Sequence, residues 1–274
     1  MATCYRHPSR ETGVACSNCG RSICPDCMTP TSVGMRCPEC SRQKTRVRTA
    51  RTMTGEPRVT MGIIAICVVL FLATGSFGAT SAGGNKLYTD LLLQGTVGIH
   101  AWHEYWRLVT SGFLHSGFLH IFFNMYLLWL LGPQLERAMG SLRFGLLYFT
   151  ALLCGSFGAL AQTSTVSVVG ASGAVFGLMG ALAYELRRRG YDPLSGGLGG
   201  LILINLAIGF IPSFHVAWGG HIGGLIGGVL AAAIFDQADR RRMPWLGYVG
   251  CALLAAAAVA GAIAVSATPH DYSF

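Results

Sequence analysis

A serine and a histidine stand in this chain where apolar sequence would ordinarily exclude them. Ser172 lies in Gly170-Ala171-Ser172-Gly173-Ala174-Val175-Phe176-Gly177, where an uncharged loop (162–171) runs into an apolar helix that ends at Glu185-Leu186-Arg187-Arg188-Arg189. From Gly173 to Leu186 is about 14 residues, or about 21 Å of helix, against a bilayer core about 30 Å thick. With the arginines at one membrane face, the serine lies several ångströms beneath the other. A polar group at that depth must face the protein interior or a wet cavity. Serine between glycines also serves close helix packing, and taken alone that is the ordinary reading. His221 changes the balance. It sits in Ala217-Trp218-Gly219-Gly220-His221-Ile222-Gly223-Gly224-Leu225-Ile226-Gly227-Gly228, with Gly224 and Gly228 following at i+3 and i+7 on its own face. Gly173, Gly177 and Gly180 give the serine helix a matching thin face. Two smooth helices, one carrying a hydroxyl and one an imidazole, can bring a nucleophile to its general base.

Two further groups carry chemistry. His120 and Asn124 share a helical face at i, i+4, where they can glue helices together or donate to a developing oxyanion; spacing does not choose between these. At the N-terminal end stand Cys4-x2-His7, Cys16-x2-Cys19, Cys24-x2-Cys27 and Cys37-x2-Cys40. Four pairs give eight ligands, enough for two tetrahedral zinc sites, and disulfides would need neither the repeated spacing nor the histidine. In so short a segment a metal replaces a core the chain cannot build. All eight ligands are consumed, so the zinc is structural rather than catalytic. The pattern resembles a B-box-like, cross-braced double zinc finger. That resemblance implies pairs one and three on one zinc and pairs two and four on the other; spacing alone leaves sequential pairing open. Cys67, Cys154 and Cys251 lie in apolar spans as packing residues.

The elements that must position these groups are membrane spans. The chain has a mean hydropathy of +0.49 and is only 12% charged, unlike a soluble domain. Apolar runs suggest seven spans, at about 59–74, 118–135, 144–161, 173–186, 201–211, 216–235 and 245–265. A turn is expected over 132–143, a glycine-rich link over 194–200, an uncharged turn at 212–214 and a charged turn over 236–242. The segment 75–107 is too long for a turn and too broken to span; it reads as a partly embedded loop ending in the interfacial cluster Trp102, Tyr105, Trp106 and Arg107. The expected organisation is a zinc-binding unit (1–42), a basic linker (43–58), a six-helix core (59–235) and a seventh helix with its flanks (236–274).

The net charge of +8 does not indicate nucleic-acid binding, because the basic residues collect beside span ends. With the N-terminus inside, every Lys or Arg except Lys86 and Arg107 falls on the inner side, as the positive-inside rule requires. No cleavable signal precedes the first span, which is expected to act as its own insertion signal. This topology puts Ser172, His120, Asn124 and His221 in the outer half of the membrane, the C-terminus outside, and the zinc unit in the reducing cytosol. The localisation expected is a multi-pass cell-membrane protein.

The chain resembles the rhomboid family of intramembrane serine proteases. Gly170-x-Ser172-Gly173-x3-Gly177 is similar to its nucleophile motif and His221-x2-Gly224-x3-Gly228 to its histidine motif. Trp106-Arg107, His120-x3-Asn124 and Gly132-Pro133-x-Leu135-Glu136 with Gly140 are similar to its loop-one, second-span and following-turn motifs. The resemblance implies an all-α polytopic fold, six helices plus a seventh. It implies a Ser172–His221 dyad without an acidic third member and no cofactor for catalysis. It also implies an oxyanion site of the Ser172 N–H, Asn124 and His120, an aromatic (Phe176) stacked on His221, and His115 in a water-holding region. Substrates would be membrane proteins cut near the outer ends of their spans, with the fifth span as the entry gate. The zinc unit lies outside the family pattern, and regulation or the binding of a cytosolic partner is the role expected for it. The competing classes are a non-catalytic rhomboid-like binder, which would lack the dyad, and a transporter, for which there is neither an acidic coupling residue nor an inverted repeat. A soluble-hydrolase nucleophile elbow fails because position 174 is Ala.

Overall fold

The computed structural model describes residues 2–31, 34–42, 56–77, 85–165, 167–195, 197–209 and 217–272. The chain forms two compact units, 1–54 and 55–274. Most of the basic linker and the turn at 212–214 lie outside the described residues.

The first unit has almost no regular structure. Two hairpins, β1 (Ala2–Thr3) with β2 (Glu11–Thr12) and β3 (Thr29–Thr31) with β4 (Gly34–Arg36), are followed by a short helix, Pro38–Arg42. Among its described residues, the buried apolar ones are six cysteines and Ile23. Strands of two or three residues cannot hold a fold together, so the cysteine clusters must.

Among its described residues the second unit contains seven helices of 13 to 23 residues: α1 (Arg58–Thr74), α2 (Phe118–Met139), α3 (Ser141–Gln162), α4 (Ser172–Arg188), α5 (Gly197–Gly209), α6 (Trp218–Arg240) and α7 (Trp245–Ser266). Among the described residues, α2, α3, α6 and α7 are long and apolar enough to cross a membrane. At 17 residues, α1 and α4 span about 26 Å each. Large apolar side chains cover their outer faces, including Leu72, Phe118, Leu119, Phe122 and Leu253, as lipid contact requires and water would penalise.

Three turns expected from sequence are helical. The turn over 132–143 shrinks to Gly140 (φ +86°), and α2 runs through Pro133 to Met139. Tertiary contact overrides the proline: Gly132 lets Thr60 approach, since a Cβ there would lie 2.6 Å from Thr60 Cγ2. The Glu136 carboxylate one turn on accepts the Val59 and Thr60 N–H groups (3.0 and 2.9 Å) and the Thr60 and Ser141 hydroxyls (2.7 and 2.6 Å). One side chain thus satisfies the opening amides of α1, which a proline precedes and no side chain of its own caps. The charged stretch 236–240 continues α6 because Asp236 pairs with Arg240 within the helix and Asp239 pairs with Arg143 of α3. Gly197–Gly200, expected as a link, is the first turn of α5; a Cβ at Gly199 would strike Leu194 Cα at 2.7 Å.

Glycine sets how closely the central helices approach. Gly155 of α3, Gly173 of α4 and Gly220 of α6 meet at one point: a Cβ at Gly155 would lie 3.1 Å from both Gly173 Cα and Gly220 O. Further down, a Cβ at Gly224 or Gly228 would lie 1.9 Å from Gly173 O or Gly177 O. The crossing admits no side chain, which is how small residues bring membrane helices together.

Segment 75–107, where described, is broken as expected. It holds a short helix (Lys86–Leu91) and a π-helical turn (Gly95–Ala101). Arg107, expected at the interface, is instead buried: its Nε donates to Glu104 (2.5 Å) and its Nη1 to the carbonyls of Thr89 and Leu92 (2.7 and 2.8 Å). Trp102, Tyr105 and Trp106 are exposed.

Candidate active site

Ser172 is the first residue of α4 and is half-buried. The loop before it is held at several points. Leu93 and Val168 exchange backbone hydrogen bonds (3.0 and 2.9 Å), Gln94 donates to Ser167 Oγ (3.1 Å), and the Gly170 N–H donates to the Ser111 carbonyl (3.0 Å). Arg107, by fixing Leu92, supports the same loop from behind. Gly170 has φ +133°, where L-residues are strained. It also has a neighbour: a Cβ there would lie 2.8 Å from His120 Nε2 and 3.5 Å from Ser172 Oγ. The hydroxyl and the imidazole nitrogen therefore converge on the space that glycine leaves open. The Ser172 N–H lies in the first turn of α4, where helix amides lack intrahelical acceptors and the dipole favours negative charge.

His120 projects from the first turn of α2. The Ser116 N–H donates to its Nδ1 (3.3 Å), and the Ser116 hydroxyl lies 3.1 Å from the same atom. A nitrogen that accepts from a backbone N–H carries no proton, so in the neutral ring the proton is on Nε2, the atom that faces Gly170. Asn124, buried one turn on, directs its amide Nδ2 to the His120 carbonyl (2.9 Å). His115 is fully buried with its ring edge on His120, centroids 5.0 Å apart; neither of its nitrogens has a partner among the described residues.

His221 lies in the first turn of α6 and is buried. Phe176, one turn after Ser172 and on its face, stacks on it with centroids 4.2 Å apart and planes 16° from parallel. His221 Nδ1 is buried without a hydrogen-bond partner among the described residues, so no carboxylate orients the ring. Gly224 and Gly173 set the separation of the two helices. The structure thus brings Ser172 and His120 to Gly170 and stacks Phe176, one turn from Ser172, on His221, with Asn124 bonded to His120; the hydrogen bonds of the described residues include none between Ser172 and His221.

The eight N-terminal ligands form two groups. Cys4, His7, Cys24 and Cys27 make one, and Cys16, Cys19, Cys37 and Cys40 the other, with all ligand atoms in each group within 4.8 Å of one another. This is the cross-braced arrangement rather than the sequential one. Cys19 and Cys37 Sγ are 3.8 Å apart, the edge of a tetrahedron with Zn–S bonds of about 2.3 Å. In the second group the Cys37 N–H donates to Cys16 Sγ (3.3 Å) and leads a set of amide contacts that bring the Cys16 thiol down to about 6. In the first, burial pushes Cys4 up, but surrounding amides outweigh it and bring the thiol to about 6. Burial and neighbouring thiols push Cys27 up to about 11. Four ligand atoms within 4.8 Å of one another can close on one ion, and soft sulfur with imidazole suits zinc.

Three residues of this region are not singled out by sequence: Ser116, Gln162 and Ser111, the last acting through its carbonyl. Gln162 is buried at the end of α3, and its Oε1 accepts the Gly219 N–H (2.7 Å) two residues before His221. The available signal was an amide side chain closing an apolar span.

Residues 102–238 match the Rhomboid domain family. The chain is 35% identical over 223 residues to the rhomboid protease GluP of Bacillus subtilis (strain 168), covering 78% of this chain and 41% of GluP. It is 34% identical over 184 residues to the YdcA protein of the same organism, covering 66% of this chain and 89% of YdcA. A protein of Arabidopsis thaliana named inactive RHOMBOID-like protein 8 is 33% identical over 116 residues, 40% of this chain. The chain thus spans about two fifths of GluP's length but most of YdcA's.

Proposed function

The chain belongs to the rhomboid family of integral membrane proteins, and from that premise we propose that it is an active intramembrane serine endopeptidase with a Ser172–His221 dyad. One observation carries the reading: the Phe176 ring lies flat on His221, one helical turn from Ser172. That contact supports the reading because it would set the plane of an imidazole whose Nδ1 has no partner among the described residues. A relative named as inactive makes catalysis a question for this chain's own residues, and both dyad members are present.

In the proposed mechanism, His221 Nε2 takes the Ser172 proton as Oγ attacks the scissile carbonyl. The oxyanion forms beside Gly170, within reach of His120 Nε2–H, with the Ser172 N–H at the helix start as a second donor. His120 is a donor there because Ser116 occupies its Nδ1. Asn124 has one amide N–H committed to the His120 carbonyl, leaving its second for the oxyanion. His221 then protonates the leaving amine, and water hydrolyses the acyl-enzyme. The substrate is a membrane-spanning segment unwound near its outer end, entering beside the short helix α5. The N-terminus lies in the cytosol, and the zinc unit, with two structural zinc ions, contacts a cytosolic partner or regulates access. Catalysis needs no cofactor.

The test is reconstitution in liposomes with a membrane-anchored reporter and a fluorophosphonate probe. Cleavage and labelling, both lost in Ser172→Ala, support the dyad. Full-strength labelling of Ser172→Ala, or a folded chain that neither cleaves nor labels, overturns it.

A further inference from the structure

We infer that Gln162 is a positioning residue for His221, and that the segment after α7, residues 267–272, is a strap that holds it in place. The inference rests on the dyad reading only for its catalytic readout. Helix α6 begins without a cap of its own: Ala217 precedes it and offers no side-chain acceptor. The opening amides of a helix need acceptors from elsewhere. Gln162 Oε1 supplies one from α3, at 2.7 Å from the Gly219 nitrogen. Gly219 makes this approach possible, since a Cβ there would lie 2.4 Å from Gly158 O and 2.9 Å from Gln162 Cβ. The bond fixes the first turn of α6, the turn that carries His221.

The backbone around Gln162 is clasped from the other side of the chain. The Tyr272 N–H donates to the Gln162 carbonyl (2.8 Å), and the Ser164 N–H to the His270 carbonyl (3.0 Å), extending an antiparallel bridge between Thr163 and Asp271. The Ser164 hydroxyl donates to the Thr268 carbonyl and accepts the His270 N–H, both at 3.0 Å. His270 Nε2 lies 2.9 Å from the Leu160 carbonyl oxygen. On its opposite edge, the Ser164 carbonyl accepts the Thr96 N–H (2.9 Å). Segment 162–164 is therefore gripped between loop one and the strap. It is also the start of the loop that delivers Ser172. One short stretch thus sets the entry of both dyad helices, and the seventh helix contributes to the centre through the chain that follows it.

The experiment uses the full chain, a chain ending at Ala267, and the substitutions Gln162→Met and Gln162→Glu. Met removes the acceptor at similar volume; Glu keeps it. Amide hydrogen exchange reads the geometry without catalysis. We expect faster exchange at Gly219 and Ser164 in the shortened chain, and at Gly219 alone in Gln162→Met. Misplacement of a reacting group by about 1 Å can cost on the order of 10²-fold in rate. Cleavage by Gln162→Met should accordingly fall 10- to 100-fold in kcat with KM within about twofold, and Gln162→Glu should restore most of it. Unchanged exchange at Gly219 in the shortened chain removes the strap. A Gln162→Met kcat within about twofold of the parent removes the positioning role, as does a Gln162→Glu loss equal to that of Met. If the shortened chain does not fold, exchange at Ser164 in the full chain carrying Ser164→Ala decides the strap. If the parent chain itself cleaves nothing, the dyad reading fails, and exchange still decides the contacts.

Discussion

The ring of Phe176 lies 4.2 Å from the ring of His221, within 16° of parallel. The two residues belong to different helices that no side chain separates, because Gly173 and Gly224 are in backbone contact just beside them. With Nδ1 buried and unpartnered among the described residues, the stack is what defines the plane of the His221 ring. Phe176→Ala should therefore lower kcat about 10- to 100-fold, while Phe176→Tyr retains activity. A melting curve in detergent beside the kinetics separates loss of the stack from loss of the fold. Equal kcat for Ala and Phe would show that the stack does not orient the base.

His120 meets the Ser172 hydroxyl at Gly170 with its Nε2 proton fixed by Ser116. Removing one oxyanion donor costs on the order of 10² to 10³ in turnover. His120→Ala should show a loss of that size in kcat with reporter binding unchanged. Gly170→Ala should be at least as damaging, because a Cβ there would lie 2.8 Å from Nε2 and take the space proposed for the oxyanion. An active Gly170→Ala would move the oxyanion site elsewhere.

How much of this was legible in sequence depended on whether a residue's partner was local. Ser172 and His221 stood out because a polar side chain in an apolar run needs a reason, and the i, i+3, i+7 glycines gave the face on which they would meet. The x2 spacing marked all eight residues of the two groups that could hold a metal, since a chelating pair is local; the pairing of pairs is a tertiary fact and needed the fold. Gln162 and Ser116 passed unnoticed because each bonds to a backbone or ring atom whose position no spacing reveals. Helix ends were misjudged at 132–143 and 236–242 for the same reason: Glu136 and Asp239 look like turn residues until α1 and Arg143 are beside them.

The glycine contact predicts a steep packing series. A Cβ at Gly224 would lie 1.9 Å from Gly173 O, and that neighbour is backbone, which cannot rotate away. Overpacking a tight interior costs about 1–3 kcal/mol. Gly224→Ala should lower the melting temperature and slow fluorophosphonate labelling, and Gly224→Val should prevent folding. Gly145→Ala, where the nearest atom is Val59 Cγ1 at 3.9 Å, serves as the control and should melt like the parent.

The cysteine groups predict a stoichiometry and a boundary. Each group offers four ligands within 4.8 Å of one another, so the purified chain should carry two zinc ions by elemental analysis, and Cys16→Ser should lower that number. Among the described residues, the buried apolar residues of this unit are six cysteines and Ile23, so metal binding and folding are one event there. A strong chelator should unfold residues 1–42 while the melting transition of 55–274 stays in place, because that unit has its own core of apolar residues such as Phe144, Leu147 and Leu178. Detergent-solubilised protein lacking residues 1–42 should still label at Ser172 with fluorophosphonate. Loss of labelling in that shortened protein would mean that the metal unit is needed for the chemistry itself, not for a partner or for regulation.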